Sequence, residues 1–477
     1  MRFRLKRLAF SDLEDEFLYF LLYLRCLATA PLERDVLIKK VSEAHVFPAI
    51  RNVFNKINVL VRYWNMPMSR VLRRMADNVK SKSLREFLQR FSESIESGEP
   101  IEHFIKREYV KHLTLYEDIF KRNIDRLKHI SDAFISVESS STLLIISVLL
   151  TAMLTALPLI VPLIVVVSIP LASLMLSLVI QKLSRAEHIL AKVRSKSKKR
   201  LLIEILSIIS PSIGSLMGGV YLINDNFLYF TLCLGISMLI PGICGKIFLR
   251  RVKKMEEKYY LFLRNFNASY SSNVPLYDCL RACLITDYGI LNKPLRKMFS
   301  RINMGFRYEE CFRAFEDETN SKLIKRLNFI LFDSMLLGGN IEECGRVIDS
   351  FYVTMTTLRK RRSHVVGYFR GLVIPLYIVL SAICGVMNAI LAFFHRFTGI
   401  LSKILGTSSV LALSELNLYF MLMIVLIAIS NAIAIYLMEG EARFNILFYL
   451  GLNLVLGGIV YSLATDTVSK YFEAFKI

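Results

Sequence analysis

Seven stretches of the chain stay apolar for long enough to cross a bilayer as helices, which takes about 20 residues. They run at about 140–158, 160–180, 202–223, 227–249, 367–393, 413–437 and 444–465. The first two share a charge-free block from Leu143 to Ile180. As a single helix that block would be ~57 Å long, nearly twice the hydrocarbon core. Pro158 and Pro162 lie mid-block, where a turn between two spans is easiest, and Pro170 would kink the second span. One span plus a re-entrant or interfacial segment is the alternative. Outside the spans the apolar residues take the period of an amphipathic helix. Leu84, Phe87, Leu88 and Phe91 form an i, i+3, i+4, i+7 stripe, and Ile324, Leu327 and Leu331 form another, both read as bundle core.

These two stripes belong to a repeat. The segment from Leu72 aligns without gaps on the segment from Phe312, at an offset of 240. Arg73 falls on Arg313, Ser81-Lys82 on Ser321-Lys322, Gly98 on Gly338 and Ile101-Glu102 on Ile341-Glu342. Upstream the offset drifts, so that Pro31-Leu32 meets Pro275-Leu276. Gly98 and the Gly338-Gly339-Asn340 run stand where the first helix of a hairpin should stop, and Ile101 and Ile341 open the next helix. Pro31 and Pro275 are expected early in helices, where a missing N–H costs least. Each repeat then has about five or six short helices, enough for its own core. The predicted order is a helical domain at 1–138, a span pair at 139–180, a basic loop at 181–201 and a span pair at 202–249. A second helical domain at 250–366, three spans at 367–465 and a tail at 466–477 follow. The fold class is an all-α polytopic membrane protein with about seven transmembrane helices and two related cytoplasmic helical-bundle domains.

Composition agrees with the pattern. Of the 477 residues 54% are apolar and 21% charged, and soluble domains carry more charge, about 25%. The 61 basic residues are clustered, with 55 of them in residues 1–138, 182–200 and 250–370, each with net positive charge. Positive-inside bias places the loop with Lys182, Arg185, Lys192, Arg194, Lys196, Lys198, Lys199 and Arg200 in the cytoplasm. Residues 1–138 then share that side, as do Arg250, Arg251 and the run Arg359-Lys360-Arg361-Arg362. The expected location is the cell membrane, multi-pass, with the N-terminus cytoplasmic. The last three spans are oriented by counting alone, which puts residues 394–412 and the C-terminus outside and the turn Glu439-Gly440-Glu441 inside. The opening MRFRLKRLAFSDLEDEF leads into no apolar core of signal-peptide length, because the run from Leu18 to Leu24 is short and ends at Arg25. Basic residues beside spans serve topology and bind anionic headgroups of the lipid bilayer. No nucleic-acid motif accompanies them, so no nucleic-acid partner is expected.

Enzymatic chemistry has little support. The eight cysteines form no close CxxC, and Cys279 and Cys283, although on one helix face, make a poor metal site as two thiols alone. There is no HExxH, no GxxxxGK[ST] phosphate loop and no GxSxG elbow. No cofactor is implied. The spans are poor in ionisable groups; Glu204 is the one acid well inside a span, four residues beyond Arg200, with which it can pair. Gly214 with Gly218, and Gly242 with Gly245, suit close helix packing. A scaffold of this kind without its own motor would take force or signals from cytoplasmic partners, and basic positions would steer an acidic partner surface. The candidates are Arg73, Arg74, Lys80, Lys82, Arg313, Lys322, Lys325 and Arg326, each of which also reads as an ordinary solvated helix position.

Several segments carry a family likeness: NVPLYDCLRAC from Asn273, FEDE from Phe315, FILFDSMLLGGNIEECGRVI from Phe329 and RKRRSHVVGYFRG before the fifth span. TAPLERDVL from Thr29 and FSESIESGEPIEHF from Phe91 match more weakly. The chain resembles the type II secretion system F-domain family, the inner-membrane platform proteins of type IV pilus-like machines, and within it the archaeal branch of archaellum and pilus assembly. The resemblance covers about residues 17–180 and 255–393. It departs from the family pattern in the glycine before each proline, here Ala30 and Val274, and in the first repeat's single Gly98-Glu99. It implies a non-enzymatic platform that couples a cytoplasmic hexameric secretion ATPase to insertion of pilin-like subunits into a filament. It also implies that Arg73, Lys82, Arg313, Lys322 and the basic loop with Lys196, Lys198, Lys199 and Arg200 meet the ATPase, and that Gly98, Gly338 and Gly339 form the helix-hairpin turn. A homodimer is expected. The alternatives are a membrane transporter or lipid-handling protein, which needs a polar-lined cavity, and a receptor, which needs a larger external region than residues 394–412.

Overall fold

The computed structural model describes residues 10–154, 160–184, 198–223, 226–270, 275–405, 413–442 and 444–474. Among the described residues there are sixteen α-helices, one 3-10 turn and no sheet. The first polar stretch gives α1 (Phe10–Leu27), α2 (Arg34–Glu43), α3 (Pro48–Arg62), α4 (Met68–Asn78) and α5 (Lys82–Glu96), and runs into α6 (Ile101–Leu154). Then come α7 (Ile160–Leu183), α8 (Lys198–Ile223) and α9 (Phe227–Tyr270). The second polar stretch gives α10 (Leu276–Cys283), α11 (Asn292–Asn303), α12 (Tyr308–Thr319) and α13 (Lys322–Leu336), and runs into α14 (Ile341–Leu405). Last are α15 (Leu413–Glu439) and α16 (Phe444–Ala474).

The internal repeat is present in hydrogen bonds as well as in order. Ser81 caps α5 by accepting from the Leu84 N–H at 3.3 Å, and Ser321 caps α13 by accepting from the Ile324 N–H at 3.1 Å. At the other end of α5, the Gly98 N–H donates to Ile95 O and the Glu99 N–H to Ser94 O. At the end of α13, the Gly338 N–H donates to Met335 O and the Gly339 N–H to Ser334 O. Both pairs are Schellman closures, and both put a left-handed residue at the glycine, with φ +72° at Gly98 and +78° at Gly338. The prolines behave differently. Pro275 is the N-cap of α10, whereas Pro31 lies outside any helix, in the link before α2. The first turn after α1 is closed by the Ala28 and Thr29 N–H groups, and the Leu32 N–H then donates to Ala30 O, which puts Pro31 in a tight turn of its own before α2 begins.

Six described helices are long and apolar enough to cross a membrane: α6, α8, α9, α14, α15 and α16. The described apolar part of α7, Val167–Leu183, is shorter. α6, α9 and α14 are single helices in which polar and apolar sequence follow without a break.

The helices sort into two units. The polar unit takes α1 to α5, α6 as far as Lys121, and Arg251–Arg359 from α9 to α14, so both repeats lie in it. Its core is aromatic. Phe87 packs on Phe17, Phe20, Phe91 and Phe104, while Phe312 stacks on Phe332 with ring centroids 3.5 Å apart. All seven residues of the two stripes expected as core are buried. The apolar unit takes α6 from Arg122, α7, α8, α9 up to Arg250, and the chain from Lys360 onward. There α15 packs against α7 and α16. Its glycines sit at helix crossings: a Cβ at Gly214 or Gly218 would meet Ser237 or Phe230 of α9, and one at Gly242 or Gly245 would meet Phe448 or Phe444 of α16. Apolar side chains such as Leu143, Ile208 and Leu216 face outward, as lipid-facing positions do.

Candidate interaction surface of the polar unit

One arginine joins the two repeats. Arg25, near the end of α1, is buried and pairs with Glu102 at 3.6 Å and with Glu343. Those acids lie in the first turns of α6 and α14, where negative charge is favoured. The starts of both long helices, and with them the Gly98 and Gly338 turns, are thereby held at one end of the unit. Thr29 completes the joint, accepting from the Asn340 N–H at 3.0 Å and lying 3.4 Å from the Cys344 sulfur. This contact accounts for the glycine pair of the second repeat. A Cβ on Gly339 would stand 2.9 Å from Ser334 O and 3.2 Å from Thr29 Oγ1, whereas a Cβ on Gly98 meets nothing.

The candidate basic residues are spread over several faces. Arg73, Arg74, Lys80 and Lys82 are exposed on α4, the α4–α5 link and the start of α5; Arg73 pairs with Glu96 at 3.0 Å and Lys82 with Glu86 at 4.0 Å. Arg313 is exposed on α12. Lys322 is half-buried at the start of α13, and Lys325 reaches Asp317 at 3.3 Å. Arg326 is buried, with its guanidinium 4.4 Å from the centre of the Tyr19 ring, so α13 binds α1 through it. Arg200 pairs with Glu204 at 3.4 Å, the contact expected at the start of the third span. Lys196 lies outside the described residues, and so do the side chains of Lys198 and Lys199. No face gathers all of them.

A cavity of about 130 Å³ lies between the repeats, lined by His45 with Lys40 and Glu43 on one side and by Arg313, Glu316 and Asp333 on the other. Burial pushes the Glu316 carboxyl up to about 8, against the hydrogen bond it accepts from the Asn328 amide at 2.9 Å. Burial, with Arg313 and Lys325 nearby, pushes His45 down to about 4, so it is neutral at physiological pH. Asp333, also raised by burial, accepts a hydrogen bond from the Tyr23 hydroxyl of α1. Among the described residues no group of three or more His, Cys, Asp or Glu side chains is placed to hold a metal. Cys279 and Cys283 are buried, and burial pushes the Cys283 thiol up to about 11.

The apolar unit has polar contacts that the hydropathy pattern conceals. The Asn431 amide of α15 donates to Glu138 of α6 at 2.6 Å, with both residues buried. Arg362 donates to Met438 O and to the Ser184 hydroxyl, closing the end of α15 over Gly440, whose φ is +62°. Glu439 accepts from the Tyr449 hydroxyl and from the Asn445 amide, with Arg370 3.6 Å away, while Lys246 lies over the Phe448 and Tyr449 rings. The turn Glu439-Gly440-Glu441, whose own residues give no charge support for its orientation, is thus surrounded by base from α9 and α14. Arg25 did have a signal in the sequence: a lone charge closing an apolar run inside a helical stripe.

No family model matches the chain, and no solved structure matches it. Flagella accessory protein J of Methanocaldococcus jannaschii is 21% identical over 468 residues, which is 93% of this chain and 83% of that protein. The protein of the same name from Methanococcus voltae is 23% identical over 331 residues, covering 66% of this chain and 59% of its own length. An uncharacterized protein of M. jannaschii is 25% identical over 121 residues, a quarter of this chain. The chain is a distant homologue of Flagella accessory protein J.

Proposed function

We propose that this protein is a membrane platform for assembly of an archaellum or a type IV pilus-like filament. In this reading a cytoplasmic hexameric secretion ATPase works on the polar unit, and the membrane helices pass that work to pilin-like subunits entering the filament. The observation that carries it is the distant homology to Flagella accessory protein J over 93% of the chain. Two features support it. The polar unit is a fused pair of helical repeats locked through Arg25, and α6, α9 and α14 each extend from it without a helix break. A platform driven by a separate motor needs no catalytic group of its own. The exposed positions Arg73, Arg74, Lys80, Lys82 and Arg313 would steer an acidic motor surface, and copies of the chain would pair as a dimer beneath the filament.

The test is co-purification of the full chain in mild detergent. The platform reading expects the secretion ATPase to be retained and the complex to loosen as salt rises. Recovery of the chain without the ATPase at low salt, under conditions that keep both folded, would sink it.

A further inference from the structure

The α3–α4 and α11–α12 links are the same device at the same offset of 240. In the first, Asn65 is left-handed at φ +48°, between Trp64 and Met66. In the second, Gly305 is left-handed at φ +83°, between Met304 and Phe306. Trp64 is 71% exposed with Tyr63 at 82%; Met304 is 72% exposed and Phe306 54%. The α11 end is a Schellman closure, with the Phe306 N–H donating to Arg301 O and the Gly305 N–H to Ile302 O. Such a closure usually packs its next apolar residue back on the helix, yet Phe306 stands in solvent. Leaving large apolar side chains exposed at both copies of one position is costly unless something covers them.

Both tips lie at the end of the polar unit that carries the glycine turns. The Ser92 hydroxyl donates to Ser69 O at 2.8 Å, so the start of α4 lies beside the end of α5. Phe312 stacks on Phe332, so the start of α12 lies beside the end of α13. Arg25 holds the two turns together through Glu102 and Glu343. The opposite end is marked by Ser321 bonded to Glu256, and Glu256 to Arg359, where the chain leaves the unit.

The chain leading into each tip is rich in base, although the exposed Glu309 and Glu310 open α12 just after the second. Between Glu43 and Asp77 there are six basic residues and no acid, and between Asp287 and Glu309 five and none. Eight of these eleven are arginine. Arg62 and Arg70 flank the first tip, both exposed; Arg301 and Arg307 flank the second, paired with Glu318 and Glu310. Arginine with Trp, Tyr, Phe and Met is the composition of a protein interface core, from which lysine is depleted.

We infer that the two tips are twin prongs that seat in equivalent acidic-rimmed apolar pockets on neighbouring subunits of one homo-oligomeric cytoplasmic protein. Two copies of one device in a single chain fit two copies of one pocket, and joint seating multiplies the affinity of each. The inference rests on the platform reading for its probe, the oligomeric secretion ATPase. It differs from that reading in putting the dock at the tips rather than at Lys80, Lys82 or Arg313.

The experiment uses the full chain in detergent with the ATPase added. Wild type should bind. Tyr63→Asp with Trp64→Asp, or Met304→Asp with Phe306→Asp, should each weaken binding at least tenfold, and the combination should abolish it. Ile285→Asp, at another exposed apolar site, should leave binding unchanged. Unchanged thermal midpoints confirm that the tip variants fold. Wild-type binding equalled by the combined variant would overturn the inference and leave the platform reading standing; no wild-type binding would remove both. Trp64 is the chain's one tryptophan. Its quenching by brominated anionic lipids in the reconstituted chain would overturn the inference in favour of the bilayer.

Discussion

At the scale of residues, a few buried groups and tight glycines hold the polar unit together. Glu316 is 2% exposed, and burial raises its carboxyl above the ordinary value of 4.5 to about 8. The folded state therefore holds this proton more tightly than the unfolded chain does. Its contribution to stability is full below about pH 4.5 and is lost as pH rises towards 8. Glu316→Gln keeps the oxygen that accepts from Asn328 and removes the ionisation. The variant should be more stable at pH 7 to 8, by at most on the order of 5 kcal/mol, with a higher thermal midpoint there and a flatter slope between pH 5 and 8. Scanning both proteins in the same detergent checks this; an unchanged slope would mean that Glu316 is solvated. The glycines separate in the same way. Gly98→Ala and Gly338→Ala should each cost about 1 kcal/mol for the left-handed backbone alone. Gly339→Ala should cost more, about 1–3 kcal/mol, because its Cβ presses on Thr29 and Ser334. Equal losses at Gly98 and Gly339 in chemical unfolding would contradict the packing described at Thr29.

At the scale of elements, much was legible because helix chemistry is local. Ser81 and Ser321, Gly98 and Gly338, and Ile101 and Ile341 set the ends of α5, α6, α13 and α14 as their residue types suggest. Replacing Ser81 or Ser321 by Ala should cost about 1 kcal/mol each, read by unfolding. Tertiary partners were less legible. Nothing near Arg326 marks it as a residue that will lie over Tyr19, since the partner is some 300 positions away, and its neighbour Lys325 reads the same in sequence. Glu138 was counted with the polar domain, yet it is bonded to Asn431 of α15. A carboxylate at the edge of an apolar run reads as a boundary whether it meets water or a buried amide. Glu138→Leu should loosen α6 from α15 and lower the midpoint clearly, because it strands the Asn431 amide without an acceptor. Glu138→Gln, which can still accept that bond, should be milder. Equal effects of the two would argue against the pair.

At the scale of the whole molecule, the sequence pattern indicated two polar stretches and several spans. It did not indicate that the two repeats share one unit. That outcome depends on Arg25, Tyr23 and Thr29 meeting Glu343, Asp333 and Asn340, contacts that no periodicity encodes. Arg25→Ala leaves Glu102 and Glu343 at the joint without their shared partner. It should separate the repeats, seen as faster proteolysis in the Gly98 and Gly338 turns, before it disturbs the membrane helices. The platform role itself is tested most directly by filament number. In the native host, cells lacking this chain should carry no filaments of the dependent type, with the processed pilin-like subunits still present in the membrane, and the wild-type gene should restore them. A normal filament count in cells without the chain would contradict the account.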